Sequence, residues 1–135
     1  MLYLIDAGVI LNDTQFSFDE SQQYLIVNEV MDEFKDFRSK ALADAALKQG
    51  VLSIIEPLPG FQQQAREFIA SLGMSLSPAD IQLLAAALQL QAEKKAFKVL
   101  TDDFSLQNAF KHKKIDFQGI LMGEIKKKRV FRKKP

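Results

Sequence analysis

Three short apolar runs constrain this chain most: Met1 to Ile5, Val51 to Ile55 and Phe97 to Leu100. Each is too short for a helix, rich in bulky or β-branched residues, and followed closely by an acid or a proline, which is how a strand reads, and Met1 to Ile5, ended by Asp6, reads as a buried one. Between them lie segments with helical signals. Val27, Val30, Met31, Phe34 and Phe37 recur at helical spacing and predict an amphipathic helix over Asn28 to Phe37. Lys40 to Lys48 continues as a second helix closed by Gly50, and Phe61 to Leu72 forms a third, stopped by Gly73. Ser77, Pro78 and Asp80 supply a cap, a first-turn proline and a first-turn acid for a long helix reaching about Lys95. A helix over Phe104 to Lys111 and a strand over Ile115 to Phe117 complete the pattern, while Asn12 to Gln23 reads as polar and turn-like. The resulting order, β, α, α, β, α, α, β, α, β, predicts an α/β fold with a mostly parallel central sheet.

At 135 residues the chain fits one domain, and with 47% hydrophobic and 26% charged residues it has the balance of a globular protein that folds without staples. No cysteine is present, which excludes disulfides, thiolate zinc sites and a cysteine nucleophile, and a single histidine, His112, argues against a histidine-rich metal centre. The longest apolar run, Leu83 to Leu88, is too short for a membrane span. Asp6 interrupts the apolar start and no basic region precedes it, so a signal peptide is not expected, and the cytoplasm is the expected location.

The net charge of +1 conceals an asymmetry. Lys126, Lys127, Lys128, Arg129, Arg132, Lys133 and Lys134 crowd the end of the chain with no acid among them, leaving 11 basic and 17 acidic residues before them, a formal charge of −6. The expected organisation is a folded domain over 1–125 and a basic tail over 126–135. The tail's cations can neutralise phosphates and Phe131 can stack on an unpaired base, or the segment can be a solvated terminus.

Parallel α/β sheets bind ligands beyond the carboxyl ends of their strands. Asp6 follows the first strand directly, Asp102 and Asp103 follow the Phe97 to Leu100 strand after Thr101, and Asp80 lies in the first turn of the long helix. Of the acids on the Asn28 to Phe37 segment, Glu33 lies roughly 100° from the centre of the apolar stripe, whereas Glu29, Asp32 and Asp36 lie roughly 140–160° away. Glu33 is therefore the one at the rim of the buried face. Four carboxylates gathered at one place repel each other and need protons or divalent cations, and an oxygen-only ligand set selects Mg²⁺ or Mn²⁺ over Zn²⁺. Such ions serve phosphodiester hydrolysis. Each acid also has a plainer explanation. Asp80 suits a helix start, Asp103 an N-cap, and Glu33 can pair with Lys35 or face water. Asp6 is harder to explain away, because a charge after a buried strand is costly without partners.

The segments Leu4-Ile5-Asp6-Ala7, Val30 to Asp36, Leu76 to Ile81 and Leu100 to Asn108 resemble PIN-domain nucleases, and within them the Nin-one-binding type that trims the 3′ end of small-subunit ribosomal RNA. The Thr101-Asp102-Asp103 run, followed by Phe104 and by Gln107-Asn108, is the most specific part of the likeness. The resemblance covers nearly the whole chain to about Phe131. It implies a three-layer α/β/α PIN-like fold, catalytic and metal-binding acids at Asp6, Glu33, Asp80 and Asp103, Asp102 as an auxiliary ligand, and Mg²⁺ or Mn²⁺ as cofactor. Thr101 and Ser77 are candidates for orienting the carboxylates. The implied activity is endoribonucleolytic, with 5′-phosphate and 3′-hydroxyl products. Precursor small-subunit ribosomal RNA in a pre-ribosomal particle is the implied substrate, and a KH-type assembly factor a candidate partner. Members of this type usually run from a segment like Val130-Phe131-Arg132 into a cysteine-rich zinc ribbon, whereas the sequence ends at Pro135. The alternatives are a VapC-class toxin ribonuclease, which the Gln107-Asn108 run disfavours, and a non-catalytic RNA-binding assembly factor. A phosphoacceptor receiver domain fits poorly, since Asp6 stands between Ile5 and Ala7 rather than in an acidic pair.

Overall fold

A computed structural model describes residues 1–120. The basic segment 126–135 and the expected boundary at residue 125 lie outside the described residues. The strands are β1 (Leu2–Ile5), β2 (Gln23–Ile26), β3 (Leu52–Ile54), β4 (Phe97–Leu100) and β5 (Phe117–Gln118). The helices are α1 (Ala7–Leu11), α2 (Asn28–Met31), α3 (Phe37–Lys48), α4 (Pro59–Ser71), α5 (Pro78–Ala92) and α6 (Phe104–His112). The five strands form one sheet in the order β3-β2-β1-β4-β5, and every pairing is parallel. Right-handed crossovers put the connections from β1 out to β3 on one face and those from β3 through β4 to β5 on the other, giving the α/β/α layering.

The central strands bury their last residues: Leu4, Ile5 and Val99 are fully inaccessible and Leu100 nearly so. α5 is buried nearly all round through Leu83, Leu84, Ala85, Ala86, Ala87, Leu88 and Leu90, the signature of a helix enclosed by other elements. Its alanines let it lie close to its neighbours, α4 foremost. Pro78 at its first position and the Ser77 hydroxyl, which accepts from the Asp80 N–H at 3.2 Å, fix where it starts.

Three expectations are corrected. β2 lies at the edge of and beyond the segment read as turn-like, because only Tyr24 and Ile26 of its four residues are buried and a polar loop precedes it. α1 is a five-residue helix without a side-chain cap, too short for periodicity to register. The helix expected over Asn28 to Phe37 breaks after Met31. After Met31 the chain tightens into turns in which the Glu33 and Phe34 N–H groups donate to the Val30 and Met31 carbonyls, and α3 starts anew at Asp36, whose side chain accepts from the Ser39 N–H at 2.9 Å. Val27, Val30 and Phe34 of the apolar stripe are buried as expected, but Phe37 is 88% exposed.

Candidate active site

The strand order reverses its direction of growth at β1, between β2 on one side and β4 on the other, and such a switch point opens a crevice at the carboxyl ends of the strands. Ile5 and Leu100 are register partners there, and the Asp6 N–H donates to the Leu100 carbonyl at 3.0 Å. Asp6 and Thr101 thus leave the sheet side by side. Beyond them lies a cavity of about 400 Å³ lined by Asp6, Gly8, Asn12, Glu33, Ser77, Asp80, Asp102 and Asp103, with Ala7 and Leu11. Four elements deliver these acids: the ends of β1 and β4, the turn after α2, and the first turn of α5.

Thr101 ties two of the acids together. Its buried hydroxyl donates to Asp6 Oδ2 at 2.8 Å and accepts from the Asp103 N–H at 3.1 Å. Its carbonyl accepts from Gln107 Nε2 at 2.8 Å, so the first turn of α6 holds the Thr101 turn from behind. Asp103 caps α6 through Oδ1, accepting from the N–H groups of Ser105 at 2.8 Å and Leu106 at 3.2 Å, while also lining the cavity. Capping and site lining coexist in this residue. The same holds for Asp80, an acid at a helix start that also faces the cavity.

The acids share one electrostatic environment. Burial pushes the Asp6 carboxyl above its ordinary range, the charge of Asp103 adds to this, and the Thr101 hydroxyl and the Ala7 and Gly8 N–H groups oppose it. Glu33 is raised by partial burial and by Asp6. Asp80 is pushed up to about 6, by burial first, then by the charges of Asp6, Asp103 and Glu33, with a hydrogen bond to Ser77 working against them. The charges that reach this group come from these four acids, and Glu29, Asp32 and Asp36 do not figure in it. Glu33 lies beyond the end of the short α2, so its angle on a helix over Asn28 to Phe37 does not place it. Its arrival at the cavity rests on the turn that ends α2, together with the anchoring of Val30 and Phe34 on either side.

Two cavity residues escape a sequence reading. Asn12 sits at the end of a helix that periodicity does not reveal, and Gly8 offers no chemistry. A methyl group at Gly8 would stand 3.2 Å from Asn12 Nδ2 and 4.0 Å from Asp6 Oδ2, so glycine keeps the floor of the cavity open beside the carboxylate. Gln107 stands next to the residues that identify the motif, but only the fold shows that it braces the Thr101 carbonyl.

A divalent hard cation fits this donor set. The cavity offers carboxylates, the Ser77 hydroxyl and the Asn12 amide, with no thiolate or imidazole, and its buried like charges are those that such an ion relieves. Among the described residues no three of these side chains are already drawn up around a common point, so an ion would gather them.

A five-stranded, all-parallel sheet of order β3-β2-β1-β4-β5 with an acid-lined crevice at its switch point is the scaffold of the PIN class. The family model described as the PIN domain of ribonuclease matches residues 3–90, and the chain belongs to that family. Within it, the chain is 32% identical to Endoribonuclease Nob1 of Methanothermobacter thermautotrophicus, over 93% of this chain and 72% of that one. It is 30% identical to Endoribonuclease Nob1 of Methanocaldococcus jannaschii over 96% of this chain and 62% of that one. For the Pyrococcus abyssi Nob1 the figures are 31%, 73% and 59%. The chain thus spans roughly three fifths to three quarters of the length of these curated relatives. Among solved structures, VapBC-1 of nontypeable Haemophilus influenzae matches with a TM-score of 0.58 at 12% identity, covering 88% of this chain and 98% of that one. VapBC2 of Rickettsia felis, bound to a promoter DNA fragment, matches with a TM-score of 0.57 at 13% identity and the same coverages. These two likenesses establish the fold.

Proposed function

We propose that this protein is a Mg²⁺- or Mn²⁺-dependent endoribonuclease of the Nob1 kind, acting in the cytoplasm on precursor small-subunit ribosomal RNA within a pre-ribosomal particle. The observation that carries the proposal is the convergence of Asp6, Glu33, Asp80 and Asp103 on one cavity, where burial and neighbouring charge raise the carboxyls of Asp6, Glu33 and Asp80. Identity of 30–32% to three Nob1 proteins supports this kind over the toxin kind, whose structures share the fold at 12–13% identity.

In this reading Asp6, Asp80, Asp103 and Glu33 hold the ion, with Asp102 as an auxiliary ligand. When bound, such an ion supplies positive charge for the scissile phosphate and lowers the pKa of a coordinated water. The chain's own groups set the stage. The Thr101 hydroxyl fixes one oxygen of Asp6 and thereby the aim of the other. The Asp103 capping bonds lock its carboxyl relative to α6. Ser77 holds the first turn of α5 and draws the Asp80 carboxyl toward its ionised form. Glu33, largely exposed at the rim, is the acid with most room to take or release a proton from the attacking water. The basic segment Lys126 to Lys134 offers seven cations to RNA phosphates, compensating the repulsion between RNA and the acidic body.

The purified chain is expected to cut single-stranded RNA internally with Mn²⁺ or Mg²⁺ and not with EDTA, leaving 5′-phosphate and 3′-hydroxyl ends, as read by end-labelling. Cleavage that persists in EDTA, or 2′,3′-cyclic phosphate ends, would overturn the proposal. Tight RNA binding without cleavage would point to a non-catalytic assembly factor.

A further inference from the structure

The two most exposed large hydrophobic side chains among the described residues are both phenylalanines on segments that also supply acids to the cavity. Phe37 is 88% exposed and Phe104 73%, while Met1 and Leu58, which follow, are 56% exposed. Phe104 is the first residue of α6, directly after Asp103, and Phe37 is the first residue of α3, four residues after Glu33. Glu33 comes from the β2 side of the cavity and Asp103 from the β4 side, and these strands flank β1 on opposite sides. The backbone segments that carry the two rings therefore leave the crevice on its β2 and β4 sides.

Both rings are mounted on fixed backbone. The Phe104 turn is locked by the Asp103 caps to Ser105 and Leu106. The Phe37 turn is locked by the Asp36 cap to Ser39 and by Arg38, whose guanidinium donates to the Ile10 carbonyl and ties α3 to α1. A phenyl ring held in water by a rigid turn keeps its hydration cost unrelieved until something flat covers it. A rigid aromatic also gives up little entropy when it is covered. Around Phe37, Lys35 and Lys40 alternate with Asp32, Glu33 and Asp36, and Arg38 is held by the Ile10 carbonyl, so what this segment offers a nucleic acid is the ring rather than net charge.

We propose that Phe37 and Phe104 are base-stacking platforms that grip the RNA on the two sides of the scissile phosphate, so that base contacts supply affinity that the acidic cavity withholds. The inference rests on the ribonuclease reading given above and assigns the two rings a positioning role in it. Its distinctive consequence is that binding depends on bases and on aromaticity, beyond phosphate charge.

The test uses the full chain and a short fluorescein-labelled single-stranded RNA of mixed sequence, with a second RNA of the same length lacking its bases. Phe37→Ala and Phe104→Ala each weaken binding by anisotropy about tenfold, and raise KM in Mn²⁺ by a similar factor with kcat nearly unchanged. Phe37→Tyr and Phe104→Tyr bind as wild type, whereas the leucine variants do not. The base-free RNA binds wild type no better than it binds the double alanine variant. Both positions are exposed, so circular dichroism melts of the variants overlay the wild type. Unchanged RNA affinity in both alanine variants would overturn the proposal and leave the rings as a contact for a partner protein, and rescue by leucine would reduce them to apolar filler. If wild type binds RNA through these rings but cuts none with Mn²⁺, the ribonuclease reading falls while the stacking assignment stands.

Discussion

Replacing Asp6 and Asp80 together by asparagine is expected to abolish RNA cleavage, lowering the single-turnover rate in saturating Mn²⁺ by at least about 10³-fold. RNA affinity by anisotropy should hold or improve, because two negative charges leave the path of a polyanion. Asparagine keeps the size and one oxygen of each side chain, so the loss reports charge rather than shape. The Thr101 hydroxyl, which donates to Asp6 in the native chain, can still donate to the asparagine oxygen. On the proposed reading the four acids work together, so either single variant should lose nearly as much as the pair. A double variant that cuts RNA within tenfold of wild type would place the chemistry elsewhere.

The second large effect is on stability. With Mn²⁺ at about a hundred times its dissociation constant, mass action adds about 2.7 kcal/mol, which raises the melting temperature of a domain this size by roughly 10 °C. Without metal, the pH dependence has a definite sign. Asp80 titrates at about 6 in the folded chain against 3.8 as its ordinary value, so the folded state binds more protons between these values. Stability therefore falls as pH rises from about 4 to about 6 and this contribution is flat above. Asp6 and Glu33 are displaced in the same direction and steepen the fall. In EDTA, the protein should melt higher at about pH 5 than at about pH 7.5, Asp80→Asn should flatten that slope, and the same variant should melt higher than wild type at neutral pH. The metal-induced rise should run the other way, growing with pH as the carboxyls ionise, and should shrink in Asp80→Asn. Equal metal shifts in wild type and Asp80→Asn, or a metal-free stability that climbs through pH 4 to 6, would contradict the account.

The legible parts of the chain were those where one local signal and the tertiary structure agree. β1 is a continuous apolar run and β4 an apolar run broken only by Lys98, each burying its last two residues, and α5 announces itself by Ser77, Pro78 and a long apolar body. β5 lies a little later than Ile115 to Phe117, at Phe117–Gln118, because its short edge pairing with β4 is set by register rather than by pattern. β2, α1 and the break after α2 were hidden because four- and five-residue elements carry less than one period of their pattern, and because Asp36 resembles a surface acid until its bond to Ser39 is seen. Asp6 stood out since a charge at the end of a buried strand is costly without cause. Asp80 and Asp103 did not, because a helix start and a site make the same demand on a carboxylate. Gln107 and Gly8 act through geometry alone: one braces a carbonyl, and the other leaves room.

The central claim is that the carboxylates around this cavity form a metal site. Crystals of the full chain soaked in Mn²⁺ and measured at the manganese absorption edge test it most directly. The account predicts an anomalous peak inside the cavity bounded by Asp6, Asp80, Asp103 and Glu33, and no peak there in Asp6→Asn/Asp80→Asn crystals soaked alongside. A cavity without anomalous density in the wild type, or a peak that survives in the double variant, would contradict it.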